Sequence, residues 1–306
     1  MSFHVYENNG TMQFYPIPPY DFARTIEASR TLFVMSAIVN GAFRRMLRLG
    51  ETLALIEVVS IGTVTEPQLE ARLLAANGTL DEAALWAKVR RVFNVEADLK
   101  PFYERAQRDP VLAQTTELLY GLHSLQADSL FEALALTMIE QQIALRMAQT
   151  AERWLLNWGA ESMVYEDETY YAFPRPEQIA AASVDDLTPL KITFARMRRL
   201  IDLAKAAETL EVLRDQPAEI AYDKLIAFKG VGHWTAAWTL IRAQGHTTYV
   251  GAADVALRAA VNSYYFGQNG RAEVALVAQT FAQYGEFSGI AAFYTMMRWA
   301  AEKYSG

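Results

Sequence analysis

The stretch KGVGHWTAAW, at residues 229–238, combines residue types that could contact a phosphate group. Gly230 and Gly232 enclose a single valine, and helical periodicity resumes at Trp234. Glycine tolerates a positive φ angle and has no Cβ, so the backbone amides at such a helix start can approach a phosphate closely. A glycine cap between two helices of an ordinary bundle has the same pattern, so both interpretations remain open here.

A carboxylate follows this turn at a fixed separation. Asp254 lies 22 residues after Gly232 and opens the next predicted helix. The intervening helix rises roughly 15 Å, and the segment GHTTYVGAA can bring the chain back. Asp254 is therefore expected beside the turn, both as a helix N-cap and as an ionised carboxylate able to stabilise an oxocarbenium-like sugar.

Two indoles accompany the turn, because Trp234 and Trp238 are spaced i, i+4 on one helical face. Such a pair is typical of a helix core. Beside a phosphate-binding turn and a carboxylate, the same pair could stack on an extruded base, most strongly on a cationic one.

The elements that must position these residues are mostly helical after residue 79. LIAFKGVGHWTAAWTLIRAQG predicts helix, hairpin and helix, with Val231 anchoring the turn in the core. A capping box at Ser129 opens a segment, FEALALTMIEQQIALRMAQTAERWLLNWG, that we expect to be one long central helix. Residues 159–172 are expected to form a polar loop. Further helices are predicted to begin near residues 175, 185, 193, 222, 234, 254, 271 and 290.

The first third of the chain has a different pattern. FRRMLRL (43–49), TLALIEVV (52–59) and VTEPQLEARLL (64–74) predict an antiparallel meander, with a helix from PPYDFARTIEASRTLF over one face. A capping box at Thr79 predicts the following helix. We therefore expect an N-terminal α+β antiparallel sheet domain over residues 1–95 and an all-α domain over residues 96–306.

Composition excludes several kinds of chemistry. The 306 residues include no cysteine, so disulfides, thiolate metal sites and a cysteine nucleophile are absent. None of the four histidines (His4, His123, His233, His246) lies four residues from another, which disfavours a histidine metal site. The net charge of −7 argues against broad electrostatic adhesion to nucleic acid. Without a secretory signal or a long apolar run, the protein is expected to be cytoplasmic.

Taken together, KGVGHWTAAW, its spacing to Asp254, FEALALTMIEQQIALRMA and FPRPEQIAAA resemble the helix-hairpin-helix (HhH-GPD) DNA glycosylases. The resemblance is strongest to the bacterial 3-methyladenine DNA glycosylase II (alkylpurine) branch and covers most of the chain, from Pro18 onward. It implies a mainly α fold, in which a helix-hairpin-helix glycosylase bundle follows an antiparallel sheet domain like that of TATA-binding protein.

The resemblance also implies roles for individual residues. Asp254 matches the catalytic aspartate, Trp234 and Trp238 match aromatic positions of the base pocket, and Gln142 matches the residue that wedges into DNA at the vacated base. The hairpin positions that hold a DNA phosphate through backbone or hydroxyl are Gly230, Gly232 and Thr235. The backbone carbonyls that would coordinate a structural sodium or potassium ion are those of Ile226, Phe228 and Val231.

The residue at position 234 decides the expected reaction. Family members that also cut the strand have a lysine where this chain has Trp234, because a Schiff base requires an amine. Lys229 lies on the far side of the turn. We therefore expect a monofunctional enzyme of base excision repair that flips out and excises alkylated purines, with no cofactor for catalysis. Alternatives are an oxidised-purine glycosylase of the same fold and a non-catalytic damaged-DNA-binding protein.

Partners follow from the same resemblance: double-stranded DNA with a damaged base, no membrane, and a monomeric protein. A basic cluster could face the DNA or form a solvated helix face; it comprises Lys191, Arg196, Arg198, Arg199 and, one turn after the aspartate, Arg258. The chain departs from the family pattern at Val255, where an aromatic residue is frequent, and near Tyr294 and Thr295, where a pocket tryptophan is replaced.

Overall fold

The computed structural model describes residues 4–5, 10–245 and 248–304, so His246 and the last two residues of the predicted all-α domain lie outside the described part. Most of the described chain is helical. In chain order the helices are α1 (Phe22–Leu32), α2 (Glu82–Val92), α3 (Lys100–Ala106), α4 (Pro110–Leu118), α5 (Leu130–Glu140), α6 (Leu145–Gly159), α7 (Pro176–Ala181), α8 (Phe194–Lys205), α9 (Ala207–Glu211), α10 (Ala218–Ile226), α11 (His233–Gln244), α12 (Val255–Phe266), α13 (Val274–Ala282) and α14 (Ser288–Tyr304).

An antiparallel sheet precedes the bundle, as the sequence predicted, and six of its strands lie in the described part of the chain. Its strands are β1 (His4–Val5), β2 (Thr11–Phe14), β3 (Ala37–Val39), β4 (Ala42–Leu49), β5 (Thr52–Ser60) and β6 (Leu69–Ala76). The order is β1-β6-β5-β4-β3, and β2 pairs with β6 on the same side as β1. The turn between β4 and β5 contains Gly50 at a positive φ, which closes the central hairpin.

The two faces of the sheet are covered by different elements. One face, which includes Phe43 and Ile56, packs under α1 and α2 in the main core. The other face, which includes Met46 and Leu55, is covered by a hairpin of β7 (Ser162–Tyr165) and β8 (Glu168–Tyr171). The prediction of a loop over residues 159–172 was therefore wrong, because the apolar residues of this hairpin bury the second face of the sheet.

Two predicted boundaries in the first third were also wrong. The third meander strand begins at Leu69 rather than at residue 64, because residues 61–68 form a turn closed by backbone bonds between Ile61 and Gln68. The cap of α2 is Asp81 rather than Thr79, since the Asp81 side chain accepts from the amides of Ala83 and Ala84.

The predicted long central helix is two helices. Ser129 caps α5, in which every residue from Leu130 to Ile139 is buried, so α5 is the central helix. Residues 141–144 then interrupt the helix, with Gln142 at a φ of +56°. The local sequence contains no glycine or proline here, so helix propensity does not predict the interruption, which coincides with tertiary contacts of Gln141 given below.

The larger of the two hydrophobic cores in the described part of the chain joins the sheet to the helices. Arg45 of β4 is fully buried and forms an ion pair with Glu132 of α5. The predicted boundary between residues 95 and 96 remains a prediction. No helix in the described part of the chain is long and apolar enough to cross a bilayer.

Candidate active site

The hairpin between α10 and α11 has the predicted form. Gly230 adopts a φ of +92°, a left-handed conformation that favours glycine. The Arg199 side chain of α8 lies against it, and a Cβ added at Gly230 would come within 2.3 Å of the Arg199 Cδ. A side chain is thus excluded at Gly230 by backbone conformation and by its neighbour.

Gly232 differs from Gly230 in its backbone conformation. Its φ is −97°, which any residue adopts, so this position does not depend on the tolerance of glycine for a positive φ. Gly232 is the N-cap of α11, no side chain caps this helix, and no atom lies within 4 Å of an added Cβ. The first amides of α11 are consequently accessible from outside. Val231 between the glycines is buried, as predicted.

Asp254 lies beside the start of α11, where the spacing predicted it. It is the N-cap of α12, and its Oδ1 accepts from the amides of Ala256 (2.8 Å) and Leu257 (3.0 Å). Its Oδ2 accepts from the indole Nε1 of Trp234 at 2.8 Å. The half-buried carboxylate therefore has one oxygen held by a helix start and the other held by an indole.

A glycine brings the chain past both indoles. The backbone of Gly251 passes so close that an added Cβ would lie 3.1 Å from Trp234 Cδ1 and 3.2 Å from Trp238 Nε1. The Gly251 carbonyl also accepts from the amide of Asp254 at 2.8 Å. This close passage places Asp254 next to Trp234.

A narrow, partly open cleft lies on the Trp238 side of this junction, and its enclosed volume is about 10 Å³, roughly the space of one water molecule. Trp238, Tyr249 and Gly251 form one wall, and Gly289 and Phe293 of α14 form the other. Its lining contains no charged side chain among the described residues. The cleft therefore offers aromatic faces and backbone rather than ionic partners.

An aromatic stack connects the cleft with the hairpin. The rings of Tyr249 and Tyr222 are parallel, with centroids 3.6 Å apart. The Tyr222 hydroxyl bonds to Nδ1 of His233, the first residue of α11, at 2.6 Å. Tyr249 in the cleft wall thus stacks on Tyr222 of α10, which is in turn bonded to His233 of α11.

The predicted wedge residue lies in the turn between α5 and α6. Gln142 is exposed there, whereas the side chain of Gln141 turns back toward the hairpin. Gln141 Nε2 donates to the carbonyl of Gly230 (3.0 Å) and to Oγ1 of Thr235 (2.8 Å). Thr235 is buried and its hydroxyl oxygen accepts from Gln141, so the start of α11 offers a phosphate chiefly its backbone amides.

The predicted basic cluster has several environments. Arg196 is buried, its guanidinium faces the carbonyl of Ile139 at 3.5 Å, and burial together with Arg199 lowers its pKa. Arg258 donates to the carbonyl of Ala272 at 2.6 Å. Arg199 lies against the hairpin, and the two exposed members of the cluster are Lys191 and Arg198. A DNA-facing role is thus compatible with Arg199 and the exposed pair, but the Arg196 side chain has a structural position.

Tyr294 and Thr295, near which a pocket tryptophan is replaced, do not themselves line the cleft. The Tyr294 hydroxyl is buried against Tyr103 and the carbonyl of Leu122, and Thr295 bonds within its own helix. The α14 residues that line the cleft are Gly289, Ala292, Phe293 and Met296, of which Phe293 and Met296 flank this pair.

Several site residues were missed from the sequence, namely Gln141, Tyr222, Tyr249, Gly251 and Gly289. Two of them had a signal. Gly251 lies three residues before Asp254, where a close chain passage needs a glycine, and Gln141 lies beside the predicted wedge residue. The others depend on contacts between distant segments.

Fold, hairpin and carboxylate agree with the predicted resemblance to the helix-hairpin-helix DNA glycosylases, and similarity to known DNA glycosylases confirms that resemblance. No family model matches the chain. A DNA-3-methyladenine glycosylase of Bacillus subtilis is 27% identical over 233 residues, which cover 73% of this chain and 75% of the relative.

Two solved structures share the whole architecture. A 3-methyladenine DNA glycosylase from Archaeoglobus fulgidus has a TM-score of 0.77 at 21% identity, covering 96% of this chain and 99% of its own. An 8-oxoguanine glycosylase/lyase of Clostridium acetobutylicum, in complex with double-stranded DNA, has a TM-score of 0.70 at 16% identity, covering 99% of each chain.

Proposed function

We propose that this protein binds double-stranded DNA, extrudes an alkylated purine and hydrolyses its N-glycosidic bond without cutting the strand. The observation that carries the proposal is the contact between Asp254 Oδ2 and Trp234 Nε1 at the edge of the aromatic cleft. This contact places a carboxylate that can stabilise a sugar cation beside an indole. A strand-cutting enzyme would need an amine at the position of that indole.

The carboxylate and the substrate divide the chemistry between them. Alkylation at N3 or N7 makes the purine a cation, so the bond from C1′ breaks with its electron pair passing to the base, which leaves neutral. Asp254 stabilises the positive charge that develops on the sugar. Water then adds to C1′ and loses a proton, giving an abasic site, so one carboxylate can suffice where sugar hydrolases use two.

The indole of Trp234 argues against a lyase reaction. A Schiff base with the sugar needs a nitrogen nucleophile, and the Trp234 nitrogen is part of an aromatic ring and already donates to Asp254. Lys229 is exposed in the turn. We therefore expect no strand cleavage beyond the abasic site.

The cleft supports a preference for a cationic base. Trp238 and Tyr249 present aromatic faces, and such faces attract cations. An oxidised but neutral purine would be recognised by hydrogen bonds to its altered edge. The cleft lining contains few side chains able to make them, which favours alkylated over oxidised purines.

We assign DNA binding to the hairpin and to the wedge residue Gln142. The uncapped amides at the start of α11 would hold a phosphate, with Gly230 and Gly232 allowing the approach, while Gln142 would fill the space of the extruded base. Backbone contacts of this kind reduce the need for Lys and Arg, which fits the net charge of −7.

A monovalent cation would complete the hairpin. The three proposed carbonyl ligands lie on one turn, and carbonyl oxygens suit sodium or potassium. The Phe228 carbonyl already accepts from the Val231 amide at 3.0 Å and keeps a second lone pair. The ion would add positive charge near the phosphate. Replacing potassium or sodium by a bulky organic cation at constant ionic strength is expected to weaken DNA binding.

The test is base release from two substrates: duplex DNA methylated with an alkylating agent, and a duplex with a single 8-oxoguanine. Free bases are measured by chromatography and strand breaks by gel, with and without alkali. We expect methylated purines to be released and breaks to appear only after alkali. Breaks without alkali would refute monofunctional hydrolysis, release of 8-oxoguanine alone would assign the oxidised-purine activity, and tight binding without release would assign a damaged-DNA-binding protein.

A further inference from the structure

The turn that carries Gln142 is fixed to the hairpin through its neighbour. Gln141 Nε2 is 3.0 Å from the Gly230 carbonyl, which can only accept, so the Gln141 side chain must donate at this end. The second hydrogen of the same amide points to Thr235 Oγ1 at 2.8 Å. One side chain thus bonds to the phosphate turn and to the first turn of α11.

A second anchor lies one residue earlier. Both carboxylate oxygens of Glu140 accept from the guanidinium of Arg242, at 2.8 and 2.7 Å, and Arg242 is only 3% exposed. Arg242 is two helical turns after Thr235 on α11. Glu140 and Gln141 therefore hold the end of α5 at two points along the hairpin helix, and the bidentate pair resists rotation.

These contacts explain the conformation of the wedge. Gln142 has a φ of +56°, unusual for a residue with a Cβ, and the chain adopts it where the preceding side chain is fixed. Because Gln141 points inward to the hairpin, Gln142 is left pointing outward and exposed.

We propose that Gln141 is a positioning residue that fixes the wedge Gln142 at a set distance from the phosphate-binding hairpin. Extrusion of a base costs a few kcal/mol of stacking and pairing, and the wedge offsets it only when it enters at the right base step. The Gln141 contacts fix the distance between Gln142 and the hairpin, and this distance determines which base step Gln142 enters. This inference rests on the proposed function, and it goes beyond it by assigning a role to a residue that touches neither DNA nor base.

The experiment measures base extrusion separately from base release. A duplex with 2-aminopurine beside an abasic-site analogue reports extrusion and stacking by fluorescence, and single-turnover excision from methylated DNA reports the reaction. The variants are Gln141→Met, which keeps length and removes both donors, and Thr235→Val, which removes one acceptor. The matched control is Gln244→Met, because Gln244 Nε2 donates to the carbonyls of Leu213, Arg214 and Gln216 at the other end of α11.

We expect Gln141→Met to lower the extrusion signal and the excision rate about tenfold, with a smaller loss for Thr235→Val. Gln244→Met should lose comparable thermal stability and keep both signals. Because Gln141 would act through the wedge, Gln141→Met should have little further effect in a Gln142→Ala background.

The inference would be overturned if the effects of Gln141→Met and Gln142→Ala multiplied in the double variant. It would also be overturned if the Gln141→Met protein kept both signals, as Gln244→Met is expected to do. A wild-type protein that neither extrudes nor releases a base would instead overturn the proposed function, and the role of Gln141 with it.

Discussion

Two helices of this protein, α2 and α12, begin at an aspartate that caps them in the same way. Asp81 Oδ1 accepts from two amides at 2.9 and 3.2 Å, and Asp254 Oδ1 accepts from two amides at 2.8 and 3.0 Å. The difference is in the second oxygen. Asp81 is exposed, whereas Asp254 Oδ2 is bonded to Trp234 beside the cleft.

Glu152 of α6 contrasts with Asp254, because it is buried without the hydrogen-bond donors that hold both oxygens of Asp254. It is 2% exposed, one of its oxygens has no hydrogen-bond partner, and its charged neighbours are Glu140, Arg242 and Arg153. Burial, reinforced by the charge of Glu140, raises the pKa of Glu152 to about 8. Burial alone keeps a carboxylic acid protonated and neutral. A carboxylate that is to stabilise a cation therefore needs hydrogen-bond donors at its oxygens and an accessible space beside it.

The strongest test of this comparison replaces the two capping aspartates by asparagine. Asparagine caps a helix nearly as well as aspartate, so both variants should fold. We expect Asp254→Asn to lower single-turnover excision at least about a hundredfold, because it removes the charge opposite the sugar cation. Asp81→Asn should keep the rate within about twofold.

Binding to an abasic-analogue duplex and the melting temperature provide the controls for both variants. An Asp254→Asn protein that binds and excises like Asp81→Asn would show that capping is the whole role of Asp254.

Glu152→Gln tests the buried acid through stability. The folded protein keeps a proton on Glu152 that the unfolded chain releases near pH 4.5, so the wild type loses stability as pH rises from about 4.5 to about 8. A shift of this size corresponds to a loss on the order of 2–4 kcal/mol between pH 5 and pH 8. Glutamine resembles the protonated acid, so urea unfolding should show Glu152→Gln gaining stability over the wild type toward pH 8.

The exposed Glu208 of α9 supplies the control, since Glu208→Gln should leave the pH profile unchanged. If the wild-type and Glu152→Gln profiles run parallel between pH 5 and pH 8, Glu152 is ionised in the folded protein and the argument about its burial fails.

The parts of the site that the sequence predicted depend on short separations. The hairpin and the cap at Asp254 follow from glycine and aspartate at helix ends, and one helix plus one returning loop can span the interval between them. The interruption after α5 could not be predicted, because it coincides with a bond between Gln141 and Gly230, 89 positions apart. The β7–β8 hairpin was missed for the same reason, since its apolar residues are buried only by the distant face of the sheet.

The two hairpin glycines can be separated by alanine substitutions. Gly230→Ala forces a left-handed conformation on a residue with a Cβ, which costs about 1–2 kcal/mol, and it displaces Arg199. It should therefore lower the melting temperature and weaken DNA binding about tenfold. Gly232→Ala meets no neighbour and needs no unusual φ, so stability should remain within about 0.5 kcal/mol while the added methyl group weakens phosphate contact.

Thermal melts and equilibrium DNA binding decide between these outcomes. Unchanged DNA affinity in Gly232→Ala would mean that no phosphate approaches the start of α11 closely.

The smallest expected effect concerns the bond that distinguishes Asp254 from Asp81. Trp234→Phe keeps an aromatic ring and removes the Nε1–H donor to Oδ2. A net loss of about 1 kcal/mol for one hydrogen bond corresponds to about fivefold in rate, so excision should fall by that amount while affinity for an abasic-analogue duplex stays constant. Trp158→Phe on α6, which keeps the stacking on Trp154, is the matched control. If Trp234→Phe excises at the wild-type rate, Asp254 is oriented by its cap alone, and the indole serves only to occupy the place of an amine.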